Sequence, residues 1–475
     1  MTERIPKSVL VGGAILCPLV LAYLAYSRPG YFTSETYLGG LLLLEFLVAA
    51  VWLYRRVYFP LVIIAFLFAG SNLPVGSVWT AARWLFLGVG AMVGCVIMLK
   101  DRHQRFGLFH AIAAFAALAA IVSAGVSRYP GFALLKALSL LLLFVYAATG
   151  ARLAVIGREA RFFAGLLMGC EIFVAAIAVF DLLLGLDSMG NPNSLGAVTG
   201  VVGAPILLWG VLVAESAFLR RRRLVLLAIC MYLAYHSHAR AGMAAALLSC
   251  GLMCLALRKY KMLTQGVGIV VVLAAATAIF QPETFSNAVS SVTSSVVYKG
   301  VDRERGVLAS RESPWQAALD NIRDHFWFGT GFGTTDHGLD ASEHLGKFAS
   351  TEKVTSENGS SYLAVTTWVG VFGVLPFLLL LIVLVGKIAR TVVWMLKTGS
   401  ANHPAIPLAM VMLAGLFHAG LEDWLFAPGY YLCVFFWSLA FVFVDLAPSA
   451  PLPQFAFASR PKPMHPGLGS IAPGQ

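Results

Sequence analysis

Charge is what this chain has least of. Asp, Glu, Lys and Arg together make up 12% of its 475 residues, whereas a soluble chain carries roughly 25%. That shortage, with a hydrophobic content of 59% and a mean hydropathy of +0.81, excludes an ordinary soluble domain. Cysteine is sparse and unpatterned. The seven residues (17, 95, 170, 230, 250, 254, 433) all fall in apolar runs, and none has Cys-x-x-Cys or zinc-like spacing, so neither a disulfide framework nor a metal site is expected. No A-x-A-like cleavage site follows the apolar stretch 8–26, and that stretch is read as a retained first helix rather than a signal peptide. No internal repeat is evident, which weakens an inverted-repeat transporter.

What the chain does have is a succession of apolar runs of about 17–24 residues, the length that crosses a bilayer's hydrocarbon core. These predict an all-α polytopic bundle of about fourteen spans: 8–26, 38–54, 58–76, 84–99, 107–124, 132–151, 162–185, 194–217, 224–239, 241–257, 262–281, 361–385, 404–420 and 429–446. Residues 1–446 form this membrane domain, and a polar loop at 282–360 interrupts it. From Pro448 onward the chain is rich in Pro and Gly with no apolar period, so 447–475 is expected to be a disordered tail.

The +11 net charge is unevenly placed. With the N-terminus inside, alternate connections hold 22 of the 34 Lys and Arg, including Arg220–Arg223, against five in the short outer connections. Short loops set orientation. Both termini are therefore expected in the cytoplasm and the 282–360 loop outside.

With that orientation the informative polar groups converge on the outer face. Arg240, in His-Ser-His-Ala-Arg-Ala-Gly, has two readings open: an arginine at bilayer depth facing a phosphate or diphosphate, or one snorkelling to water. His236 and His238 flank it but do not make a metal pair. Asn191-Pro192-Asn193 opens a span, either as a helix cap or as amides that hold a ligand. In the loop, Ser310 or Ser313 is expected to cap a helix with Pro314 in its first turn. Trp315 is then part of an apolar stripe or a sugar platform. The glycines at 329, 331 and 333 suggest a compact turn more than a phosphate loop. His418 and Glu422, four apart, are expected on one helix face, either as a polar helix end or as a site wall. Glu171 and Asp181 lie within spans and are read as hydrogen-bonding acids.

The Asn-Pro-Asn start, the Arg-Ala-Gly at 240–242, the stretch from Arg311 through Trp315 into Phe-Gly-Thr-Gly-Phe-Gly, the Glu357-Asn358 entry to the next span and the His-Ala-Gly-Leu-Glu-Asp-Trp segment at 418–424 together resemble the O-antigen ligase and polymerase superfamily, the last being similar to its exopolysaccharide-polymerase branch. The resemblance implies a glycosyltransferase of the GT-C type. Such an enzyme takes a glycan from an undecaprenyl-diphosphate donor at the outer face of the bacterial cytoplasmic membrane and needs neither metal nor cofactor. It implies that Arg240 and Arg311 engage the diphosphate, with Asn191, Asn193, Asn358, Trp315, His418 and Glu422 around the substrate. The family's usual His-Asn is here Glu357-Asn358, which suits a polymerase better than a ligase and makes Glu357 the candidate base. The expected partners are the lipid-linked oligosaccharide, a glycan acceptor, the bilayer and a chain-length regulator, with no nucleic acid. A lipid-linked oligosaccharide flippase and a non-catalytic assembly scaffold are the competing readings. A flippase is expected to line a membrane cavity with its ionisable residues rather than to collect them in one outer loop.

Overall fold

A computed structural model of the chain describes residues 47–71, 76–100, 106–186, 188–266, 309–334 and 358–448, with a few isolated positions besides. Most of each of the expected spans at 8–26, 38–54 and 262–281 lies outside these residues, as do most of the 282–360 loop, Glu357 and the tail from 449. The chain divides into two compact units, Met1–Leu61 and Val62–Gln475. All that follows concerns the second, apart from the start of α1.

Every regular element among the described residues is helical. The helices are α1 (Tyr54–Ala69), α2 (Gly76–Lys100), α3 (Leu108–Val126), α4 (Pro130–Val155), α5 (Glu159–Leu183), α6 (Pro192–Leu212), α7 (Ala217–His236), α8 (Arg240–Ala256), α9 (Ala309–Asp324), α10 (Ser361–Thr398), α11 (Ala405–Ala419) and α12 (Tyr431–Leu446). Six of them are long and apolar enough to cross a membrane: α2 (from Trp79), α3, α4, α5, α6 and α10. α8, α11 and α12 are shorter apolar helices, and α7 carries Arg220–Arg223 in its first turns. The chain is a multi-pass, all-helical membrane protein.

Which helices face lipid follows from which are apolar all round. α6, α11 and α12 are buried on nearly every side, as expected of a helix with no polar face placed at the centre of a bundle. On α2, α3, α5 and α10 large apolar side chains such as Met92, Phe115, Ile172 and Ile382 stand exposed, which in water would be a liability and in hydrocarbon is not. α3 packs along α4 and α10, and α8 lies against α11 and α6.

Polar contacts gather at the two ends of the bundle. At one end Glu171 pairs with Arg222 and Arg223, Arg223 also reaches the Gly210 carbonyl at 2.7 Å, and Arg152 pairs with Asp445 at 2.5 Å. Two of the arginines counted toward orientation thus also neutralise a buried acid. Asp181 accepts from the Ser188 amide at 3.2 Å and hydroxyl at 2.6 Å. Both acids are structural in this sense. The other end holds the starts of α6, α8, α10 and α12 and the end of α11.

Several expected boundaries move. The 361–385 span continues to Thr398 and is two helices joined at Gly370, whose φ of 67° and ψ of −177° are not helical. The break has a tertiary cause. An added Cβ at Gly370 meets the Trp327 carbonyl at 2.4 Å, one at Gly329 meets the Trp368 carbonyl carbon at 2.4 Å, and Val371 N–H donates to Phe326 O at 2.9 Å. The Gly329–Gly333 turn is compact, as expected, with left-handed φ at all three glycines. Its amides at 330 and 331 bond the carbonyls of Thr367 and Trp368 at 2.9 and 3.0 Å that the kink releases. α9 begins at Ala309, so neither Ser310 nor Ser313 caps it, and Pro314 lies inside the helix. The position gives up one backbone bond, and Pro314 lies close under Gly359.

Candidate functional site

At the start of α6, Asn191 is the N-cap. Its Oδ1 accepts the Asn193 N–H at 2.9 Å, and Pro192 occupies the first helical position, where a missing N–H costs nothing. The capping reading is correct, and it uses only the oxygen of the Asn191 amide. One turn further, α6 crosses α8 at backbone contact. A Cβ on Gly196 meets Ala239 Cβ at 2.2 Å, one on Gly200 meets Gly242 O at 2.1 Å, and one on Gly242 meets Gly196 O at 2.2 Å. Small residues at this spacing let two membrane helices approach closely. Here they bring the start of α8, whose first residue is Arg240, against the first turns of α6. Within the crossing α6 widens into a π-helical segment, Val198–Gly203, a departure common next to functional sites. Arg240 is the first residue of α8 rather than part of the preceding turn. The turn itself is made by Ser237, whose hydroxyl holds Ala234 O at 2.7 Å, and by His238 in the left-handed region.

α9 supplies the second arginine. Arg311 forms an ion pair with Glu422. Its charge also acts on Arg240 and on His418, so two cations from segments 71 positions apart in sequence share one neighbourhood. Four residues along, Trp315 is half-buried and donates its indole N–H to Gly359 O at 3.1 Å. Its ring lies under the turn that leads into α10, 3.2 Å from where a Gly359 Cβ would sit.

The segment after α11 departs from expectation. The helix stops at Ala419, so His418 and Glu422 do not share a helix face. The chain turns instead because its groups are bound elsewhere. Ser361 donates both N–H and hydroxyl to Glu422 O, at 3.1 and 2.6 Å. The Ser361 hydroxyl accepts from Leu425 N–H at 3.0 Å, and Asp423 Oδ2 accepts the Asn358 N–H at 2.9 Å. The buried His418 takes the Trp424 indole N–H on Nδ1 at 2.7 Å, which leaves the imidazole proton on Nε2. In that tautomer His418 is a donor, not a base. Tyr430 bonds Ser194 at 3.2 Å and Tyr431 at 3.1 Å. Burial raises its hydroxyl above the ordinary tyrosine range, so it stays protonated.

These groups enclose a cavity of about 240 Å³ lined by Asn191, Asn193, Ser194, His418, Glu422, Asp423, Trp424 and Tyr430 among others. Four of the expected site residues therefore line one space. Arg311 stands behind it through Glu422, Arg240 through its proximity to Arg311, Asn358 through Asp423, and Trp315 through Gly359. Asn358 is itself buried, which makes it a wall support, not a lining group. Ser194, Asp423, Trp424 and Tyr430, with Ala197 and Ala427, also line it, and none of these was expected as a site residue. Gly196 and Gly200 hold the two helices together, and their four-residue spacing was a readable signal. Lys136 from α4 bonds Gly333 O at 3.2 Å and lies within the field of Asp423, which ties the glycine turn to the same region.

Residues 224–378 match the family described as O-antigen ligase. The matched third of the chain runs from α7 into α10 and includes Arg240, Arg311, Trp315 and the glycine turn. The match supports the resemblance to the O-antigen ligase and polymerase superfamily. No curated protein sequence matches the chain significantly.

Proposed function

We propose that this chain is a glycosyltransferase that polymerises undecaprenyl-diphosphate-linked oligosaccharide units at the outer face of the bacterial cytoplasmic membrane, in exopolysaccharide or O-antigen synthesis. Both termini then lie in the cytoplasm and the 282–360 loop outside. One observation carries the reading: Arg311 of α9 pairs with Glu422, which lines a cavity walled by amides, hydroxyls and carboxylates, and Arg240 at the start of α8 lies within reach of the Arg311 charge.

The chemistry fits those groups. Transfer breaks the bond from the anomeric carbon to the lipid diphosphate, and negative charge grows on the departing oxygen. Arginines placed beforehand stabilise it where it develops, and their forked donors match phosphate oxygens. The amides of Asn191 and Asn193 and the hydroxyls of Ser194 and Tyr430 are the right groups for sugar hydroxyls. The attacking acceptor hydroxyl loses its proton to a carboxylate, for which Glu357, the residue before Asn358 in sequence, is the candidate. A chain-length regulator is the protein partner that a polymerase of this kind would take.

The test is Arg240→Ala and Arg311→Ala in purified enzyme supplied with lipid-linked repeat units. Both variants should lose polymer formation by a factor on the order of 10² or more while still inserting in the membrane, and lysine at either position should restore activity only in part. Full activity in both alanine variants would overturn the donor site.

A further inference from the structure

In this structure Arg311, assigned above to the donor diphosphate, is already in contact with an acid. Its partner Glu422 is no rim carboxylate: the two side chains are 15% and 16% exposed, and Glu422 lines the cavity while Arg311 does not. The carboxylate therefore stands between the arginine and the space the substrate would fill. Arg240 adds a second positive charge close by. Two guanidinium groups within each other's field in a partly buried site repel, and the Glu422 carboxylate on Arg311 offsets that repulsion while the site is empty. The other acid of the cavity, Asp423, is occupied differently, accepting the Asn358 N–H and lying in the field of Lys136.

Glu422 is also built to let go. Its carbonyl is pinned by the amide and hydroxyl of Ser361, so its side chain can swing about a fixed backbone without unmaking the turn. A diphosphate carries more charge and more acceptor oxygens than a carboxylate and can engage both arginines at once.

Building on the donor site proposed above, we infer that Glu422 is the donor site's resident counter-ion: the lipid diphosphate displaces its carboxylate from Arg311, and the released carboxylate then accepts a hydrogen bond from the incoming acceptor sugar. Nothing covalent happens in this exchange. One ion pair is replaced by another, and the enzyme acquires an order of binding, donor before acceptor. Glu422 acts as a positioning residue, and the proton of the attacking hydroxyl still goes to the base.

The test compares wild type with Glu422→Gln in the full-length purified protein. The probes are a sugar-free polyprenyl diphosphate and inorganic pyrophosphate. Gln keeps the backbone bonds to Ser361 and the shape of the side chain but cannot neutralise Arg311. Both probes should bind the variant more tightly, on the order of tenfold, equivalent to ~1.4 kcal/mol. Turnover with lipid-linked units should fall, and the KM for acceptor should rise. The empty variant should melt below wild type and recover when polyprenyl diphosphate is added. Glu422→Asp, with a shorter reach, should fall between the two in probe affinity, and it serves as the reading if the Gln variant does not fold. Unchanged or weaker probe binding by the folded variants overturns the inference while leaving the donor site in place. So does a gain confined to the polyprenyl probe, because the apolar tail would then be its source. Failure of wild type and variant alike to bind either probe overturns the donor site itself, and the exchange with it.

Discussion

Gly242→Ala puts the helix crossing to the most direct test. A methyl group at that position lies 2.2 Å from Gly196 O, 2.6 Å from its carbonyl carbon and 3.3 Å from Ala197 N. All three are backbone atoms, so no rotamer change relieves them. Ordinary contact at 3.4 Å requires α6 and α8 to separate by about 1 Å. Overpacking of this kind costs ~1–3 kcal/mol, and it shifts the start of α8, which carries Arg240, relative to the start of α6, which carries Asn191 and Asn193. A misplacement of that size can lower turnover by as much as ~10²-fold. The control lies in the same helix. A Cβ on Gly251 meets nothing within 4 Å, so Gly251→Ala should be neutral or gain up to ~1 kcal/mol from helix propensity. The assays are the thermal midpoint of the purified protein and polymer formed from lipid-linked units. If Gly242→Ala matches Gly251→Ala in both, the crossing does not hold the site together and the geometric argument fails.

Two further expectations concern residues outside the described structure or the side of the membrane. Glu357→Gln keeps size and hydrogen bonding but removes basicity, so turnover should drop by on the order of 10²–10⁴ with little change in donor binding. Near-normal turnover would move the base to His325, His337, His344 or Glu422. Reporter fusions after residues 225 and 260 should read as cytoplasmic and a fusion near 320 as external, and a cytoplasmic signal at 320 would reverse the orientation.

Local chemistry made much of this protein legible from its sequence alone. The apolar runs at 107–124, 162–185 and 404–420 became Leu108–Val126, Glu159–Leu183 and Ala405–Ala419, because length and apolar content are enough to specify a helix that is buried or in lipid. The Asn191 cap and the compact glycine turn were equally local, resting on one side chain and on backbone freedom at three glycines. The site was legible as a set of residue types on one expected face, but not as a geometry. A helical spacing put His418 and Glu422 on one face. In the folded chain Ser361 and Asn358, more than 60 positions upstream, capture the Glu422 carbonyl and the Asp423 carboxylate and stop the helix before Glu422. The interruption at Gly370 likewise answers to Trp327 in another segment, and Arg311 finds Glu422 across 111 positions. Periodicity reports what a residue does to its neighbours in sequence. Where a helix ends, and which acid meets which arginine, depended on hydrogen bonds and charges that only the packed bundle brings within reach.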